Sequence, residues 1–261
     1  MNRLDVTLAR LRAEQRSALA TYFTAGDPDF ERCLQLLRGL GAAGADVIEL
    51  GLPFSDPVAD GSVIQGAHLR ALAGGQTAAR TLELVARLRE TDATTPVVLM
   101  GYFNPVLQYG PERFLRDAAQ AGVDALLLVD LTVEHAAPYV GAAREAGVHL
   151  IRMTAPTSDE ARLRTVLADA SGFVYHVSLN GTTGAAGAAP DADAALARVR
   201  RFTDLPLALG FGIRDEAQIR ALAGTVELIV VGSRLVEMLA SDGVDATLAQ
   251  VSAFARALGA D

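Results

Sequence analysis

A glutamate inside an apolar run, with further carboxylates close behind it, is the part of this chain best suited to chemistry. The run is Asp46-Val-Ile-Glu49-Leu-Gly-Leu-Pro-Phe-Ser-Asp56-Pro-Val-Ala-Asp60-Gly61. Val47, Ile48 and Leu50 have the pattern of a short buried strand, so Glu49 must point into a core or into a pocket above one. An unpaired carboxylate in such a place is costly unless its pKa rises toward neutrality, where general acid-base chemistry operates. A glutamate paired with an arginine for structure alone is the alternative, and the run by itself leaves both open.

The rest of the chain supplies elements to position that carboxylate. Short apolar runs at 18–23, 47–51, 97–101, 125–129, 149–153, 173–178, 207–210 and 228–232 alternate with amphipathic stretches. Helices are expected near 30–43, 65–73, 81–88, 112–121, 133–146, 159–170, 192–202, 216–222 and 244–258. Eight strands, each followed by helix at right-handed crossover spacing, predict a (β/α)8 TIM barrel, an α/β fold occupying 1–261 as a single domain. A doubly wound open sheet is the competitor, but no dinucleotide-type glycine turn follows the first strand.

In a barrel the C-terminal strand ends and the loops after them form the active face. Glu49 ends the second strand and Asp60 lies in its loop; Tyr102 follows the third, Asp130 the fourth, and Tyr175 falls in the sixth. Gly210-Phe-Gly212-Ile213 and Val230-Val-Gly232-Ser233 follow the seventh and eighth, as in barrel phosphate sites built from backbone N–H groups and a helix N-terminus. Ser233 is expected to cap that helix and to offer its hydroxyl. Gly181 to Pro190 lacks bulky side chains and suits a lid.

Composition narrows the chemistry. The chain has 261 residues, is 51% hydrophobic and has a mean hydropathy of +0.26, enough to bury a large core. All 23 basic residues are arginines, so no lysine Schiff base forms with a substrate and no internal aldimine holds pyridoxal phosphate. His68, His135, His149 and His176 are scattered without ligand spacing, so no metal is expected. Cys33 is the single cysteine and reads as packing. A net charge of -8 without a basic run argues against nucleic acid. No signal pattern opens the chain and no apolar run nears the roughly 18 residues of a membrane span, so a soluble cytoplasmic protein is expected.

Several motifs together resemble the tryptophan synthase alpha subunit family across essentially the whole chain. They are Glu49-Leu-Gly-Leu-Pro-Phe-Ser-Asp56-Pro-Val-Ala-Asp60-Gly with Ile64-Gln65, Thr24-Ala-Gly-Asp27-Pro, Met100-Gly-Tyr102-Phe-Asn104-Pro, Asp130-Leu, Thr183-Gly184, Gly210-Phe-Gly-Ile213 and Gly232-Ser233. The resemblance implies retro-aldol cleavage of indole-3-glycerol phosphate to indole and glyceraldehyde 3-phosphate. It makes Glu49 the general acid-base and has Asp60 stabilise positive charge on the indole nitrogen. It lines the substrate pocket with Tyr22, Ile64, Met100, Tyr102, Leu127, Tyr175, Thr183 and Phe211, although Leu127 reads equally as barrel core. Phosphate falls to Gly184, Gly212, Ile213, Gly232 and Ser233.

The resemblance further implies no cofactor on this chain and a beta-subunit partner that carries pyridoxal phosphate in an alpha2beta2 assembly. Pro53, Asp56, Asn104, Pro105 and Asp130 would face that partner. Ser62 and Thr132 replace prolines common in the family, which should relax the backbone beside those loops. Leu179 replaces a common arginine. These departures would allow one alternative, a stand-alone lyase releasing free indole; a second, from a different class, is a catalytically silent activator of a beta subunit, opposed by retention of Glu49 and Asp60.

Overall fold

In the computed structural model, which describes residues 1–177, 192–210 and 212–259, the apolar runs pair side by side into one parallel sheet. Its strands are β1 (Ala18–Thr24), β2 (Val47–Gly51), β3 (Val97–Gly101), β4 (Ala125–Leu128), β5 (His149–Leu150), β6 (Arg152–Thr154), β7 (Val174–Val177), β8 (Leu207–Gly210) and β9 (Leu228–Val231). Around them run α1 (Arg3–Ala13), α2 (Phe30–Leu40), α3 (Ser62–Ala73), α4 (Ala78–Arg89), α5 (Phe103–Tyr109), α6 (Pro111–Ala121), α7 (Val133–Ala146), α8 (Glu160–Leu167), α9 (Ala192–Arg200), α10 (Glu216–Leu222) and α11 (Ser233–Ala257).

Nine strands among the described residues stand where eight were expected, because the fifth run is divided at Ile151. The Ile151 N–H still donates to the Leu126 carbonyl at 2.8 Å, so the ladder passes through the break. β5 pairs with β4 and β6 with β7, and this one segment joins the two ends of the sheet into a nearly closed TIM-type barrel.

Side-chain alternation sorts each strand into an inner and an outer set. Ala18, Ala20, Val47, Val98, Ala125, Leu127, Phe173, Ala208, Leu228 and Val230 fill the barrel interior, while Leu19, Phe23, Ile48, Leu50, Leu99, Leu126, Leu209 and Ile229 pack outward under the helices. Glu49, between Val47 and Gly51, has inward parity.

Two helical segments depart from expectation. No element was anticipated before Ala18, yet α1 forms there behind a capping box in which Asn2 and Asp5 satisfy each other's backbone N–H groups. Its Leu4 and Leu11 join the interior cluster and plug the barrel at the N-terminal strand ends. The closing helix was expected from Val244, but helix begins at Ser233 and is kinked at Gly243, whose φ of +84° no side-chain-bearing residue adopts readily.

Candidate active site

β1, β2 and β3 carry the first carboxylate into place. Tyr22 on β1 and Val98 on β3 are the direct neighbours of Glu49, so it is the last inward side chain on β2 before Gly51. Gly51 and Gly210 are small for a physical reason: a Cβ at either would stand 2.2 Å from the Tyr22 hydroxyl or 2.5 Å from the Tyr175 hydroxyl. The glycines let two phenols lean over the interior core beside Glu49.

Glu49 has no accessible surface, and neither carboxylate oxygen has a hydrogen-bond partner among the described residues. The arginine-paired alternative therefore does not hold. Burial pushes its pKa up to about 8, because nothing compensates the desolvated charge. At neutral pH this carboxyl keeps its proton and can both give one up and take one back.

Asp60 lies in the β2–α3 loop, nearly enclosed. The Tyr102 hydroxyl donates to its Oδ2 at 2.9 Å and itself accepts the Ala59 N–H at 2.9 Å. Gln65 Nε2 donates to the Asp60 carbonyl at 2.8 Å, fixing the loop to the first turn of α3. Burial raises the Asp60 pKa and the Tyr102 hydrogen bond pulls it back down. Burial, reinforced by the charges of Glu49 and Asp60, pushes up the phenols of Tyr22 and Tyr175, which places all four groups in one neighbourhood. Ile64 on α3 is buried, and Met100, next to last on β3, stands opposite Gly51 and Leu127. Leu127 is fully enclosed in the interior cluster, as barrel core would be.

The phosphate candidates gather at two neighbouring strand ends, since β8 and β9 pair through Gly210 and Val230. Gly212 has φ +61°, and Ile213 is buried behind it. Gly232, not Ser233, is the N-cap of α11, and no side chain caps the helix; Ser233 is its first helical residue. Its hydroxyl therefore stands in the first turn, beside amides that have no acceptor within the helix. Thr183, Gly184, Phe211, Leu179 and the 181–190 loop lie outside the described residues.

Of the residues expected at a partner surface, Asp56, Asn104 and Asp130 are exposed, Pro105 is half-buried and Pro53 is buried. Asp130 Oδ1 accepts the Phe103 N–H at 2.6 Å and ties two of these loops together. Exposed Val58 and Leu107 stand on the same rim. Ser62 and Thr132 sit at helix starts, as first residue of α3 and N-cap of α7, so both elements form without the prolines. Among the described residues no group of three or more His, Cys, Asp and Glu side chains comes together as a metal site, and no helix is long and apolar enough to cross a membrane.

Sequence reasoning missed His68. It is buried on α3 one turn after Ile64, with Nε2 3.7 Å from Asp60 Oδ2 and 3.4 Å from the Tyr22 hydroxyl. The available signal was its spacing, since Ile64, Ala67, His68 and Ala71 make one buried stripe.

Comparison with known proteins agrees with this geometry. The family model described as tryptophan synthase alpha chain matches residues 8–260. The crystal structure of tryptophan synthase alpha chain from Legionella pneumophila subsp. pneumophila is 37% identical, with 99% of this chain and 98% of that one covered and a TM-score of 0.91. A chain of Mycobacterium tuberculosis tryptophan synthase is 35% identical over 98% of each, with a TM-score of 0.92. A protein of Aquifex aeolicus VF5 is 30% identical over 99% of each, with a TM-score of 0.91. With the barrel, the buried glutamate and the second carboxylate in place, the chain belongs to the tryptophan synthase alpha chain family, lyases that cleave indole-3-glycerol phosphate.

Proposed function

We propose that the chain, working as one domain over 1–261, cleaves indole-3-glycerol phosphate by carboxylate acid-base catalysis with Glu49 and Asp60 as its catalytic residues. Protonated Glu49 delivers its proton to indole C3, which leaves positive charge on the ring nitrogen. The resulting carboxylate takes the proton of the glycerol hydroxyl as the C3–C bond breaks. The electron pair returns to the ring, and indole and glyceraldehyde 3-phosphate separate with the glutamic acid restored. Asp60, ionised, faces the transient cation and stabilises the transition state more than the ground state.

The observation that carries this reading is the enclosed, unpartnered Glu49 with its pKa near 8. Tyr22, Ile64, Met100, Tyr102, Leu127, Tyr175, Thr183 and Phe211 would enclose the indole, Thr183 closing toward Asp60. Gly184, Gly212, Ile213, Gly232 and Ser233 would hold the phosphate. This chemistry asks for no cofactor on the chain.

Family membership implies a beta-subunit partner. We assign it an alpha2beta2 assembly, with Asp56, Asn104, Pro105 and Asp130 toward the partner, buried Pro53 supporting that loop from beneath, and pyridoxal phosphate on the beta subunit alone. The exposed apolar side chains of Val58 and Leu107 support that face. A cytoplasmic location accords with a phosphorylated, membrane-impermeant substrate. The test is indole release from purified chain with and without added beta subunit. Strong activation by the partner supports the alpha-subunit role; rapid cleavage unchanged by it marks a stand-alone lyase, and no release in either case overturns the function.

A further inference from the structure

We propose that His68 is a positioning residue for the cleavage, acting through Asp60: its imidazole holds the Phe54 amide on one side and turns an N–H toward Asp60 and Tyr22 on the other. The inference rests on the reading above, in which an ionised Asp60 faces the indole nitrogen.

The tautomer follows from one hydrogen bond. The Phe54 backbone N–H donates to His68 Nδ1 at 2.9 Å, and an amide N–H can only donate. Nδ1 is therefore the acceptor and the ring proton sits on Nε2. Nε2 lies 3.4 Å from the Tyr22 hydroxyl and 3.7 Å from Asp60 Oδ2. The Tyr22 hydroxyl in turn lies 3.4 Å from Thr24 Oγ1. The ring is 2% exposed, and burial lowers its pKa to about 4, so it stays neutral where the enzyme works.

Asp60 then accepts one hydrogen bond, from Tyr102 just after β3, and faces the N–H dipole of the His68 ring on α3 at 3.7 Å, beyond direct hydrogen-bond length. The charged or titratable groups otherwise facing this neighbourhood are Tyr22 on β1, Glu49 on β2 and Tyr175 on β7. Phe54 touches both donors: its amide binds His68, and its ring packs on Tyr102 with centroids 5.4 Å apart. The β2–α3 loop, whose Ser55, Asp56 and Val58 are exposed, is thus mechanically tied to the surroundings of Asp60.

Two substitutions separate the ring's two roles. His68→Asn keeps an acceptor near the Nδ1 position and loses the donor; His68→Gln keeps a donor near Nε2 and loses the acceptor. Removing the donor raises the Asp60 pKa. In His68→Asn, the acid limb of kcat/KM should move up by about 0.5–1 pH unit and kcat should fall about tenfold with KM little changed. His68→Gln should keep the wild-type acid limb.

A His68→Asn limb at the wild-type position with kcat within about twofold of wild type overturns the proposal and leaves His68 a loop staple. Nitrogen-15 NMR of histidine-labelled wild-type chain tests the same point without any variant or any turnover. A neutral Nε2–H ring from about pH 5 to 8 supports the proposal, and an Nδ1–H tautomer or titration in that range overturns it. Wild-type protein that releases no indole counts against the proposed function. A cleaving wild type with an unshifted His68→Asn limb counts against His68 alone.

Discussion

Glu49 and Asp124 are both completely shielded from water at opposite ends of one barrel, and the protein treats them in opposite ways. Asp124, at the N-terminal end, accepts from the Val97 and Arg3 backbone N–H groups, pairs with Arg3 and is gripped by Arg89 Nη2 at 3.0 Å. Glu49, at the C-terminal end, has no such partner among the described residues. A buried carboxylate with every lone pair engaged fixes the fold and is chemically inert, whereas one without partners among the described residues keeps its proton up to near-neutral pH, where it can be exchanged. The lower end closes the barrel with charge, and the upper end keeps a proton available.

The widest gap between the two ends should appear on removing Glu49. Glu49→Gln should lower indole release by about a thousandfold or more, since no other described group is placed to exchange that proton. Stability should change in the other direction. The folded pKa of about 8 lies above the ordinary 4.5, so the native state binds more protons than the unfolded chain between these values. Wild-type stability therefore falls as pH rises through that window, while a glutamine contributes no such slope. The variant should match wild type near pH 5 and exceed it by on the order of 4 kcal/mol near pH 9 in urea unfolding. A difference that does not widen with pH would show that Glu49 is better solvated than its enclosure implies.

The reverse pattern is expected at the lower end. Asp124→Ala leaves Arg89 mostly buried and unpaired and removes the acceptor for two backbone amides, so unfolding should cost about 3–5 kcal/mol less. Activity per folded molecule, measured well below the lowered midpoint, should stay near wild type. A large loss of kcat there would break the division between the ends.

That division was only half legible in the sequence. Apolar runs of four to six residues marked the strands, and Glu49 stood out because the run around Val47, Ile48 and Leu50 is otherwise apolar. The break at Ile151 was not legible, because His149 to Met153 reads as one run and only the neighbouring strands divide it. The plug helix was readable, from the Asn2 and Asp5 box and the Leu4, Leu8, Leu11 spacing, but a polar segment ahead of the first strand drew no assignment. Ser233 was displaced by one position from its expected capping role, the usual uncertainty at a helix end. His68 shows where local pattern stops: its buried stripe is local, but its role depends on Phe54, Asp60 and Tyr22, which only the folded chain brings together.

A smaller effect sharpens the upper end. Tyr102→Phe removes the hydroxyl that donates to Asp60 and accepts from Ala59, leaving the ring contact with Phe54 in place. The lost donor lets burial raise the Asp60 pKa further. The acid limb of kcat/KM should move upward, and kcat should fall about tenfold, the scale of one hydrogen bond to a charged group. An unchanged pH profile would mean that Asp60 is held by other groups.

The smallest effect separates burial from charge within the lower end itself. Asp46 also sits there, accepting the Leu19 N–H at 3.0 Å and both terminal nitrogens of Arg16, with Arg10 reaching it at 3.2 Å. The Arg10 side chain is 49% exposed, against 14% for Arg16. Water screens the Arg10 pair, ordering its long side chain offsets part of the attraction, and Asp46 keeps its partners when Arg10 is gone. Arg10→Ala should therefore cost less than about 1 kcal/mol in urea unfolding, and the difference should shrink further at high salt. If Arg10→Ala instead cost as much as Asp124→Ala, the lower end would depend on the number of charges around its carboxylates. A small, salt-sensitive loss means that desolvation decides which pairs matter there, the same quantity that sets the proton affinity of Glu49 at the other end.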